Sequence, residues 1–136
     1  MCLILTIGTN IKIPELTIKN FEENNIFIEE VKEGTPTRLF STKYKHIYSL
    51  TNGMCSCDFF ERSSNIQKVS EYMPKLSSLI NDLEKKLIRI CLHVHSYVGF
   101  YETERLPSPN KVIINKEKLL EDFSFLEEDV VYVVNN

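Results

Sequence analysis

The chain has 136 residues, 43% hydrophobic and 26% charged, with four glycines and five prolines. That is the size and make-up of one globular domain, and it excludes a collagenous or low-complexity chain. A formal charge of -3 argues against broad attraction to nucleic acid, and the longest apolar runs, such as Leu3-Ile4-Leu5, are far too short to span a bilayer.

Cys2-Leu-Ile-Leu-Thr-Ile7 is continuously apolar and β-branched, the pattern of a strand buried on both faces, and Gly8 to Asn10 ends it. Ile26 to Lys32 reads as a second strand and Thr37 to Ser41 as a short third. Within Tyr44 to Phe60, Asn52-Gly53 lies between two β-prone runs and predicts a two-residue type I′ hairpin. Such a turn pairs Leu50 with Cys55, Tyr48 with Cys57 and His46 with Phe59. It points His46, Tyr48, Leu50, Cys55, Cys57 and Phe59 at the core.

Ile66, Val69, Met73, Leu76, Ile80, Leu83 and Leu87 step by three and four, which places them on one stripe of a helix. Ser64 and Gln67 have capping-box spacing. Pro74 removes a hydrogen bond to the Ser70 carbonyl, so a kink or split is expected near Tyr72 to Pro74. Ile90 to Tyr101 reads as a long strand. Ile90, Leu92, Val94, Val98 and Phe100 face one way, and Cys91, His93, His95, Tyr97 and Tyr101 the other. Leu106 to Asn110 is a proline-held loop, Val112 to Ile114 a short strand, Lys116 to Phe123 one or two helical turns, and Asp129 to Val134 a last buried strand. This order predicts a single α+β domain: a mostly antiparallel sheet with one main helix on one face.

Four cysteines (Cys2, Cys55, Cys57, Cys91) and no secretory signal point to free thiols in a reducing compartment, the cytoplasm. Cys91, His93 and His95 share a strand face, and Cys55 and Cys57 share another by the same rule. If the two faces met, five thiolate and imidazole ligands would suit zinc. The alternative is that both hairpin thiols are small buried hydrophobes, with the histidines on a half-exposed face. Cys2, freed by removal of Met1, has the position of an amino-terminal nucleophile, but no Gly-rich oxyanion motif follows it. A Cys57, His46 or His93, and Asp58 arrangement has the residue types for thiol catalysis, yet Asp58 is predicted on the opposite hairpin face from Cys57.

Acid is concentrated in two stretches. Glu15 to Gly34 carries Glu22, Glu23, Glu29 and Glu30, and Lys116 to Asp129 carries Glu121, Asp122, Glu127 and Glu128. Together they predict an acidic face able to steer a basic partner. The Met1-Cys2 start, Cys55-Ser-Cys57-Asp-Phe59 and the ending Phe125-Leu-Glu-Glu-Asp-Val-Val resemble a group of small uncharacterised bacterial proteins. These share a Met-Cys opening and a Cys-x-Cys-x-Phe segment. In that group glycines usually stand between the cysteines, where this chain has Ser56, with Asp58 following. The resemblance implies a shared fold and no activity.

Three functions therefore stand as expectations. The first is a non-enzymatic, protein-binding module: a small acidic inhibitor, immunity or anti-defence protein that covers a basic active site with the two acidic stretches plus Tyr97 and Tyr101. The second is a zinc- or thiol-dependent protein built on Cys55, Cys57, Cys91, His93 and His95. The third is a small-ligand or nucleotide binder using His93, His95 and Tyr97. No membrane or direct nucleic-acid partner is expected, and no catalytic residue is assigned.

Overall fold

Period-two alternation of apolar side chains sets two faces along each strand, and the computed structural model, which describes residues 2–135, shows what covers each. The elements are β1 (Cys2–Thr9), α1 (Glu15–Glu22), β2 (Phe27–Glu30), β3 (His46–Thr51), α2 (Ile66–Lys85), β4 (Ile90–Tyr97), β5 (Asn110–Asn115), α3 (Lys116–Asp122) and β6 (Val130–Asn135). The six strands form one sheet in the order β2-β3-β1-β4-β6-β5. β1 lies near its centre, antiparallel to β3 through Leu5↔Leu50 and to β4 through Leu5↔Val94. Among neighbouring strands of the described residues only β5 and β6 run parallel, because α3 forms the crossover between them. The fold is α+β, with a mostly antiparallel sheet and the 20-residue α2 packed on it.

The strand directions make β1-α1-β2, β3-α2-β4 and β5-α3-β6 three β-α-β crossovers of one hand. Right-handed crossovers of this kind place all three helices on the same face. The first four strands and two helices thus have the split β-α-β, ferredoxin-like order, extended by β5-α3-β6. Leu5, Ile7, Tyr48, Leu50, Leu92 and Val94 face the helices, where Tyr72, Leu76, Leu79 and Leu83 of α2 meet them. Each such side chain contributes about 1.5–3 kcal/mol of burial.

α2 runs unbroken through Pro74, so the expected split does not occur. Pro74 is exposed. Tyr72 before it, and Leu76 and Leu79 after it, hold both halves against the sheet. That burial outweighs the roughly 3 kcal/mol that an interior proline costs. The cap is Asn65, whose side chain accepts from the Lys68 N–H at 2.9 Å, while the Ser64 hydroxyl donates to Asp58 instead. At the stripe's two ends, Ile66 and Leu87 are exposed.

The predicted hairpin is also corrected. A turn exists, with the Asn52 N–H donating to the Cys55 carbonyl at 2.9 Å, but Cys57–Phe59 is a 3-10 turn rather than a returning strand. Both edges of β3 are already taken, by β1 and β2, so no edge remains for a hairpin partner. Ser56 instead bridges β1 and β3. Its N–H donates to the Leu3 carbonyl, its Oγ accepts from the Leu5 N–H at 2.7 Å, and its hydroxyl donates to the Leu50 carbonyl at 2.5 Å. Three smaller differences follow from local chemistry. Thr35–Arg38, opened by Pro36, is a 3-10 turn where a strand over Thr37 to Ser41 was expected. β4 ends at Tyr97, leaving Val98 and Phe100 exposed in the turn beyond it. α1 was not anticipated, and its only buried residue is Thr17.

Among the described residues the opposite face of the sheet carries no α-helix. Two connections cover it, residues 31–45 between β2 and β3 and residues 98–109 between β4 and β5. Val31, Leu39, Phe40 and Tyr44 of the first pack on Ile47, Cys91, Val131 and Val133. The two connections meet where the Thr35 N–H donates to the Glu102 carbonyl at 2.8 Å. Phe40 reaches the backbone of β1: a Cβ on Gly8 would lie 2.6 Å from Phe40 Cδ2. Gly8→Ala is therefore expected to cost about 1–3 kcal/mol by pushing Phe40 and its loop outward. The urea midpoint checks this, and an unchanged midpoint would show that the 31–45 connection does not press on β1.

Candidate functional site

β4 aims Cys91, His93, His95 and Tyr97 at this second face, as their parity requires. His93 is fully buried, between Thr6 of β1 and Val131 of β6 in register. Neither of its ring nitrogens has a hydrogen-bond partner among the described residues, and Asp129 Oδ1 lies 3.9 Å from Nε2. Burial drives its pKa from 6.5 down to about 4, against the attraction of Asp129.

His95 is held at both nitrogens. Nδ1 lies 2.7 Å from Asp129 Oδ1, and Nε2 lies 2.7 Å from Glu104 Oε2. Glu104 also accepts from the backbone N–H groups of Val98 and Gly99. The Gly99 N–H, then the His95 ring, hold its carboxyl below the usual carboxylate range. This imidazole clamps the 98–109 connection to the start of β6, and with both nitrogens engaged it has no atom free to take a substrate proton. Tyr97 stacks edge-on against His95 and Tyr101. The Tyr101 hydroxyl bonds Thr6 Oγ1 at 2.7 Å. Tyr97 is 4% exposed, so it is not the surface contact expected for a partner.

The thiols are dispersed. Cys57 Sγ accepts from the Leu3 N–H, and Cys57 packs against the helix-side core. Cys91 lies on the opposite face, so the five proposed zinc ligands are not gathered. No group of three or more His, Cys, Asp or Glu side chains is placed to hold a metal among the described residues. Burial pushes the Cys55 thiol up to about 12 and the Cys91 thiol up to about 11, which leaves both protonated and weakly nucleophilic at neutral pH. His46 pairs with Thr9 while Cys57 sits at Leu3, six residues along β1 and about 20 Å away. Asp58 is engaged with Asn52 and Ser64, so the Cys57, His46 and Asp58 set does not assemble. Cys2 is exposed at the start of β1, in register with Tyr97.

The second face carries an opening. Between the 39–44 loop and the strands β4, β6 and β5 lies a cavity of about 440 Å³. Phe40, Val131 and Val133 supply its apolar lining, Tyr44 and Cys91 line it as well, and Ser41, Lys43 and Lys111 add polar groups. Burial raises the Tyr44 hydroxyl to about 12, with the Cys91 thiol beside it. The sequence singled out Cys91 for this region but missed Tyr44, Lys43 and Lys111. They lie on a loop and an edge strand whose closeness comes from the fold, and no periodicity marks them.

The acidic stretches flank the helical layer from opposite edges of the sheet. α1 and β2 are at one edge, and α3 packs on β5 and β6 at the other. They do not merge into one face. Glu22, Glu23, Glu29 and Glu30 are exposed and in no ion pair among the described residues, whereas Asp122 pairs with Lys118 and Glu128 with Arg62.

No helix of the described residues is long and apolar enough to cross a membrane. No protein-family model, curated protein or solved structure matches the chain.

Proposed function

We propose that this chain is a non-enzymatic binding protein whose ligand is a small molecule seated in the cavity on the helix-free face of the sheet. The supporting observation is the cavity itself. It has an apolar floor and a few convergent polar groups, within the size range that buries a small ligand. Groups that a reaction would need are otherwise engaged: Cys91, the thiol that lines the cavity, stays protonated, and His95 further along β4 is bonded at both nitrogens. The ligand site expected on His93, His95 and Tyr97 thus shifts along the same face, since those rings are packed and the opening begins at Cys91.

Val133→Phe fills the cavity from its wall. It is expected to weaken binding of the probe 8-anilinonaphthalene-1-sulfonate by about tenfold, or about 1.4 kcal/mol, with the urea midpoint retained. Probe affinity unchanged in a folded variant would place the ligand elsewhere.

A second reading, the acidic protein-binding module, is favoured by the unpaired carboxylates Glu22, Glu23, Glu29 and Glu30 along α1 and the edge strand β2. Reversing these four to Lys is expected to slow association with a basic partner about tenfold or more at low salt. Association kinetics that ignore the reversal contradict this reading.

A further inference from the structure

Deepening the cavity reading, on which this inference rests, we propose that the ligand is a small apolar molecule carrying one anionic group, held by Lys43 and Lys111. The two lysines line the cavity from different elements, the 39–44 loop and β5. Both are exposed, and neither makes an ion pair among the described residues. No Asp or Glu among the described residues lines the cavity, in a chain whose net charge is -3. Arg89 adds positive potential at Tyr44.

The two titratable groups beside the apolar floor do not offset that potential. Tyr44 and Cys91 both lose their protons only well above neutral pH, so each stays uncharged. The cavity therefore combines two free ammonium groups with a floor of Phe40, Val131 and Val133. A cation is repelled by this arrangement. A bare inorganic anion leaves the apolar floor unfilled, and a neutral ring leaves the lysines unused. A ring with one carboxylate or phosphate satisfies both parts, since desolvating an anion is offset by charge-assisted hydrogen bonds.

The test uses the whole chain and three probes on one ring: 2-naphthol, 2-naphthoate and 2-naphthyl phosphate, titrated by calorimetry at pH 7. Both anions are expected to bind about tenfold or more tighter than 2-naphthol. That advantage is expected to disappear in the double variant Lys43→Gln/Lys111→Gln and to shrink as salt is raised. The tighter of the two anions identifies the group the lysines prefer. Equal affinity for all three probes in the unsubstituted protein overturns the anion assignment and leaves the cavity reading standing. Retention of the anion advantage in the double variant overturns the role of the lysines. Failure of every probe to bind removes the cavity reading as well. Both lysines are solvent-exposed, and an unchanged urea midpoint confirms that the variant folds.

Discussion

Ser56→Ala is expected to destabilise the protein by about 3 kcal/mol, because it orphans two buried backbone groups at once. The Ser56 side chain is fully buried and occupies the place where β1 and β3 part. Its oxygen takes the Leu5 N–H at 2.7 Å, and its hydrogen goes to the Leu50 carbonyl at 2.5 Å. An Ala methyl fills similar space and serves neither group. Chemical denaturation checks this, and a loss below about 0.5 kcal/mol would mean that water or backbone adjustment satisfies both groups without the hydroxyl. The same substitution is expected to loosen the 52–60 segment, where Phe59 packs edge-on against Tyr72 at 5.2 Å. Ser56 thus joins the sheet centre to α2 in place of the hairpin that the Asn-Gly pair suggests.

His93→Leu is expected to stabilise the protein at pH 7 by about 1–2 kcal/mol, since neither ring nitrogen of His93 has a partner among the described residues and a leucine has no polar group to satisfy. The larger effect is on pH dependence. The folded-state value near 4 lies below the usual 6.5, so between those limits the unfolded chain holds a proton that the folded chain does not. Stability is therefore full above pH 6.5, declines as pH falls through that window, and stops declining from this cause below about pH 4. The decline amounts to about 3 kcal/mol. Asp129 at 3.9 Å favours the charged ring and His95 opposes it, but burial is the largest influence. Urea unfolding at pH 7 and pH 4.5 is expected to show a larger acid loss in the unsubstituted protein than in His93→Leu. Equal acid losses would show that His93 accepts a proton in the folded state.

Much of the sheet was legible because its strands are strongly patterned. Parity correctly separated Ile90, Leu92 and Val94 from Cys91, His93, His95 and Tyr97, since β4 is sandwiched between two strands and buried on both faces. The stripe on α2 was equally clear, though Pro74 weighed too heavily: local propensity lost to packing on both sides of it. The chain does turn at Asn52-Gly53, but only Gly53 has positive φ and the backbone bond runs from the Asn52 N–H to the Cys55 carbonyl, so neither the two-residue type I′ turn nor the pairing inferred from it forms. A turn signal is local, whereas strand pairing depends on which edges other segments have already filled. α1 is short, and its inner face is carried by Thr17, Ile18 and Phe21, too few for a periodic signal.

The site was half legible for the same reason. Cys91, His93 and His95 stood out by chemistry and spacing, but their roles depend on what lies across from them. Asp129 and Glu104 turn His95 into a clamp, and Phe40 with Tyr44 turns the Cys91 end into a cavity. Those partners come from connections whose paths over the sheet no residue pattern encodes. The split β-α-β order does not decide function either, because one topology hosts many unrelated sites.

The most direct measurement of the central claim is amide chemical-shift mapping while 2-naphthoate is added to the whole protein. Shifts are predicted to concentrate at residues 39–44 and at Cys91, Lys111, Val131 and Val133, saturating at one ligand per chain. Saturable shifts confined to α1 and the facing side of α2, or none at any concentration, would contradict a ligand cavity on the helix-free face.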